Sequence, residues 1–158
     1  MQTETLSRIP TLQRLEPSRN GNDREVHSLQ QPATRTQGEI EAQVCDVIRR
    51  YSIEYIGRGP KDVHAYLIGD LLVVRMTGVL TVAEQHLIAK SAEKGRLLLK
   101  QVRSQLIEAA RNELESMFRV FTSVNVISLH HDISTSTGEE IIVFTLDDSP
   151  ATRQAKRK

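Results

Sequence analysis

The chain has a single cysteine, Cys45, in 158 residues. No intramolecular disulfide can form, which excludes the stapled framework of a small secreted domain and fits a reducing compartment. No run approaches the roughly 18 uncharged apolar residues that a membrane span needs, so no transmembrane helix and no direct membrane insertion are predicted. The first residues, Met1 to Leu15, lack an uninterrupted apolar stretch and a small-residue cleavage site, so export is not expected. Charge of either sign is also not in excess, the formal net value being +1. That sum hides an asymmetry. Residues 39–148 hold 12 basic and 16 acidic side chains (−4), the last ten residues contribute +4 and residues 1–38 contribute +1. A mildly acidic body argues against nucleic-acid binding. The basic tail is too short and sparse to specify RNA or anionic lipid.

What is present is ordinary for one globular domain: 39% hydrophobic and 26% charged residues. Residues 1–37 are rich in Gln, Ser, Thr, Asn and Arg and show no sustained periodicity. They bury too little apolar surface to offset chain entropy and read as a disordered extension. Residues 149–158 read as a basic, disordered tail, which leaves 38–148 as the folded domain.

Within that domain Thr36 and Glu39 have capping-box spacing. Ile40, Val44, Val47, Ile48, Tyr51 and Tyr55 then recur as one helical face. Cys45 sits beside that face as a small core residue. Gly57 suits a left-handed cap, and Gly59-Pro60 stops the helix. From Val63 to Met76 the pattern is a hairpin about a II′ turn at Gly69-Asp70. This register pairs Ile68 with Leu71, Tyr66 with Val73 and His64 with Arg75 on one face. The other face is wholly apolar and should meet the helices. Thr81 and Glu84 repeat the capping box, and helical spacing runs to about Phe121 through Leu87, Ile88, Leu99, Val102, Leu106, Ala110, Leu114 and Met117.

Forty residues in a straight helix would extend about 60 Å, too long for a domain of this size. The helix must break near Gly95, or its overhang must pack on a second chain. A closing hairpin, Val124 to Ile133 and Glu140 to Leu146, completes an α-β-β-α-β-β order. The expected fold class is α+β: a four-stranded, mostly antiparallel sheet with helices packed on one face. Its last strand, apolar on both faces, should be central.

No catalytic spacing, cofactor motif or complete metal set stands out. Gly57-Arg58-Gly59-Pro60 could bind an anion through backbone amides and Arg58, but no strand leads into it and no helix follows, so a cap-and-turn is favoured. His130 and Asp132 share a strand face while His131 points away, leaving a zinc set incomplete. His64, Tyr66 and Arg75 share the mixed hairpin face, which is either half-exposed or an interface. Arg103, next to Val102 on the second helix, should pair with an acid or project into an interface. The ligand- or partner-binding candidates are therefore Arg58, His64, Tyr66, Arg75, Arg103, His130 and Asp132.

Taken in order, Gly57-Arg58-Gly59-Pro60, Gly78 to Glu84, Gly95-Arg96, Val102-Arg103, His130 to Ile133 and Val143 to Leu146 resemble the YbcI/MpsC-like family over residues 39–147. Some members of that family are described as the small soluble component of a cation-translocating, membrane-potential-generating system linked to inorganic-carbon supply. The resemblance implies a non-enzymatic accessory or regulatory protein associated with a membrane cation-translocating or bicarbonate-uptake system. Together with the over-long second helix, it leads to the expectation of a homodimer, cytoplasmic and peripheral to the membrane through an integral-membrane transporter complex. The resemblance brings no catalytic residues. The alternative expectation is a small-ligand or anion sensor using Arg58, His64, Tyr66, Arg75 and Arg103.

Overall fold

A computed structural model of the chain describes residues 35–153, apart from the side chain of Ala92. Helix α1, Gln37–Tyr51, opens on the expected capping box: the Glu39 amide donates to Thr36 Oγ1 at 3.2 Å, and the Thr36 amide donates to Glu39 Oε2 at 2.8 Å. Two otherwise orphaned donors are satisfied by this exchange. Ile40, Val44, Val47, Ile48 and Tyr51 form its buried stripe. Periodicity had not signalled the next feature, a wider π turn over Ser52–Ile56, which we label α2. The buried Ser52 hydroxyl donates to the Ile48 carbonyl at 3.0 Å, competing with the backbone at the position where the helix widens. Gly57, at φ +85°, closes the element.

Strands β1 (Asp62–Ile68) and β2 (Leu71–Thr77) pair in the register expected from the turn. Gly69 has φ +61° and Asp70 is not in the left-handed region, as a II′ turn requires. Strands β3 (Val126–Ile133) and β4 (Glu140–Leu146) complete an antiparallel sheet of order β1-β2-β4-β3. The last strand is central, and a bulge at Ile127 shifts the register on the edge strand. The inner face, including Val63, Leu67, Leu72, Val74, Met76, Ile142 and Phe144, packs on the helices as one core.

The long helix, α3, has helical backbone over Val82–Thr122, yet its axis cannot be straight. Arg103 bonds Glu84 at 2.7 Å, whereas 19 residues of straight helix would separate them by about 28 Å. A Cβ added to Gly95 would lie 2.5 Å from the Leu87 carbonyl oxygen, and those residues would be about 12 Å apart along a straight axis. The chain therefore doubles back between Leu87 and Gly95, and two antiparallel limbs result. Gly95 is needed for this close approach, since its φ is not positive. Of the two solutions to the length problem, the closed fold takes the break.

The reversal also corrects the expected core register. Val102 is 45% exposed, and the buried stripe is Leu99, Arg103, Ile107, Ala110, Leu114 and Phe118. Restarting after the turn resets the helical phase, and a reading that counts only apolar residues skips the arginine in the stripe.

Residues just beyond 38–148 make contacts with the domain as well. Arg35 already belongs to the body, donating to the Phe121 carbonyl at 3.3 Å. At the other end Ser149 Oγ donates to the Gly69 carbonyl at 3.0 Å, and Pro150 is buried. The Arg153 amide bonds the Arg35 carbonyl at 3.0 Å while its guanidinium reaches Glu39, also at 3.0 Å. Residues 149–153 are thus a clasp between the two ends of the domain, where sequence composition suggested a free tail. Residues 1–34 and 154–158, which hold the rest of the expected extension and tail, lie outside the described residues.

Candidate functional site

Polar chemistry concentrates where α3 meets the sheet. Arg103, 2% exposed, projects from the second limb of α3 into a cage of acceptors. Its Nε and Nη2 bond the two Glu84 carboxylate oxygens, each at 2.7 Å. Nη1 bonds Glu140 Oε2 at 3.1 Å, and Nη2 also reaches the Val79 carbonyl at 2.9 Å. The bidentate fork uses the planar geometry that distinguishes arginine from lysine. Glu84 serves twice, because its Oε2 also accepts from the Thr81 amide at 2.7 Å. Glu140 passes the network to His131, whose Nε2 lies 2.6 Å from Glu140 Oε1. The other imidazole nitrogen, Nδ1, is buried without a partner among the described residues.

Burial pushes the Glu84 carboxyl up, but the Arg103 guanidinium and the Thr81 amide outweigh it and hold the group below the usual carboxylate range. Burial likewise works against the Arg103 charge, and Glu84 and Glu140 more than restore it. Beside them Tyr51 is pushed well above the usual phenol range, first by burial and then by the Glu140 carboxylate. These groups hold fixed charges against one another. One guanidinium joins both limbs of α3, the loop after β2 and, through Glu140 and His131, the two strands of the closing hairpin.

Among the described residues no helix covers the opposite sheet face. Its register places Ile68, Leu71, Thr145 and Ser128 in one row. Tyr66, Val73, Val143 and His130 form the next, and His64, Arg75, Ile141 and Asp132 the third. Tyr66, Ile68 and Leu71 are 46%, 61% and 38% exposed. The centre of this face is apolar and its charge lies at the third row. There Arg75 pairs with Glu139 at 2.6 Å, and Asp132 receives Lys100 at 2.6 Å, which holds its carboxyl below the usual range. His64 and Tyr66 stack, with ring centroids 6.5 Å apart.

The structure therefore brings five of the seven sequence candidates, His64, Tyr66, Arg75, His130 and Asp132, onto one open face. Arg103 lies on the far side of the sheet. Arg58 is elsewhere again, donating to the Leu80 and Gly78 carbonyls at 3.1 and 3.3 Å as a loop clip. Sequence reasoning missed three cluster members: Glu84, which the cap seemed to explain, Glu140 and His131. The available signal was positional. His131 alternates with Leu129 and Ile133 on the inward face of β3, and Arg103 falls at i+4 from Leu99 and i−4 from Ile107. Among the described residues no group of three or more His, Cys, Asp and Glu is placed to hold a metal ion.

Comparison with known proteins agrees with the extent of this domain. The family model described as "Na+-translocating membrane potential-generating system (MpsC)" matches residues 36–148. The uncharacterized protein YbcI of Bacillus subtilis (strain 168) is 33% identical over 112 residues, covering 71% of this chain and 89% of that protein. No solved structure matches the chain. Among the described residues no helix is long and apolar enough to cross a membrane. The matched span takes in both helix-and-hairpin units and every member of the Arg103 cluster, and the chain belongs to the MpsC family.

Proposed function

We propose that this chain is a non-enzymatic accessory protein that acts by protein contact, on the cytoplasmic side, with a membrane cation-translocating or bicarbonate-uptake system. The observation that carries this reading is the open sheet face. Among the described residues no helix covers its three rows of four residues, and their apolar centre is where a lone domain gains nothing from apolar side chains. Such a flat surface suits another protein better than a small molecule, which binds best in a concave site. The surface calls for a partner segment that is apolar at its middle and polar at its ends. The family's description as a membrane-potential-generating system supports a membrane protein as the source of that segment.

The polar cluster supports the non-enzymatic part of the reading. Arg103 and Glu140 are closed off and occupied with each other, and Glu84 is divided between Arg103 and a helix cap. An anion sensor built from Arg58, His64, Tyr66, Arg75 and Arg103 finds less support, because these groups do not converge. Tagged protein recovered from detergent-solubilised native membranes is expected to bring down an integral-membrane ion-transport protein. Recovery of soluble proteins only would contradict the proposal.

A further inference from the structure

We propose that two copies of this chain exchange halves about the α3 reversal. The helix then straightens, and each Arg103 cluster is completed by Glu84 and the Val79 carbonyl of the second copy. Four observations converge on this. First, the domain consists of two helix-and-hairpin halves, α1-β1-β2 with the first limb of α3 and the second limb with β3-β4, covalently joined only at the reversal. Exchange keeps every contact between the halves and remakes it between chains, the low-cost route to a dimer.

Second, the reversal is crowded. The Cβ position of Gly95 lies 2.5 Å from the Leu87 carbonyl oxygen and 3.0 Å from Ser91 Cβ. Helical backbone persists on both sides of it, so straightening alters few dihedral angles. Third, the first limb is thinly held. From Val82 to Lys94 the one described side chain tied into the interior is Glu84, in the Arg103 cage, and past the reversal Leu97, Leu98 and Val102 are left 63%, 46% and 45% exposed.

Fourth, in a straight helix Ile88, Ser91, Gly95, Leu98 and Val102 follow alternating spacings of three and four, the seam of paired helices. Two small residues at its middle let a second copy cross closely there. The same spacing places the overhang of a 41-residue helix against its symmetry mate. The open sheet faces stay uncovered in the exchanged dimer, so this inference and the membrane-partner reading can fail separately.

The sheet itself reports exchange. The Leu146 amide bonds the Asp70 carbonyl at 2.8 Å, which fixes the alternation along β2 and β4. Val73 and Val143 are then a non-hydrogen-bonded pair with Cα atoms about 4.5 Å apart, within disulfide reach. The test is the full chain carrying Cys45→Ser, Val73→Cys and Val143→Cys, oxidised and run on a denaturing non-reducing gel. Exchange predicts a reducible covalent dimer; a disulfide at monomer mass overturns it, even if light scattering finds a dimer. Gly95→Ala gives a second readout that needs no disulfide. Alanine cannot fit the reversal but suits a straight helix, so light scattering should show this variant as a folded dimer, with a larger dimer fraction than the wild type. A folded monomer, or a variant that fails to fold, overturns the proposal.

Discussion

Two arginines of this domain make nearly the same contact with glutamate and have different consequences. Arg103 meets Glu84 at 2.7 Å and Arg75 meets Glu139 at 2.6 Å. The first pair has side chains 2% and 17% exposed; the second is 51% and 33% exposed. At the surface, water competes for both charges and salt screens them, so a pair contributes little. In the interior each charge has lost its hydration, and removing one partner strands the others. Burial, and not distance, decides which arginine the fold depends on. The same division separates scaffold from working surface: inward polar groups hold the elements together, while outward ones are free to meet a partner.

The largest expected effect follows from breaking the buried side of this comparison. Arg103→Met leaves Glu84 and Glu140 without their cation and should cost about 3–5 kcal/mol in urea unfolding. Adding Glu84→Gln and Glu140→Gln to that variant removes the stranded charges and should recover most of the loss. A full loss in the triple variant would mean that arginine packing, and not charge balance, dominates.

Glu84→Gln alone should be destabilising by a similar or somewhat smaller amount at pH 7, because Gln retains the cap but not the charge. Its pH dependence has a definite sign. The folded Glu84 carboxyl is held below its ordinary value, so its stabilisation is fully present above the unfolded pKa of about 4.3. It is lost as pH falls through the lower folded value. The stability gap between wild type and Glu84→Gln should therefore stay flat from neutral pH to about 5 and narrow below that. Urea unfolding across this range gives the gap directly, and a gap that widens with acid would contradict the assignment.

The smallest effect is expected at the surface. Arg75→Ala should change stability by about 1 kcal/mol or less, and most of that should vanish in high salt. A loss as large as that of Arg103→Met would erase the contrast between the buried and the exposed pair.

Local chemistry made much of the fold legible. Both capping boxes, the hairpin register about Gly69-Asp70 and the central place of the last strand depend on short-range rules, and all appear as expected. The α3 reversal was visible only as a length conflict, because no proline or positive-φ glycine marks it. The π turn at Ser52 had no periodic signature. The Arg103 cluster was illegible for a different reason. Its members come from positions 79, 84, 103, 131 and 140, and only the tertiary fold brings them together. The open face was easier, since alternation in a strand assigns His64, Tyr66 and Arg75 to one side before any packing is known.

The claim that this face is the working surface is tested most directly by carrying Tyr66→Asp with Ile68→Asp through the membrane co-purification. Both residues are exposed, so the melting curve should be unchanged and the integral-membrane partner lost. Retention of that partner at wild-type yield would contradict it.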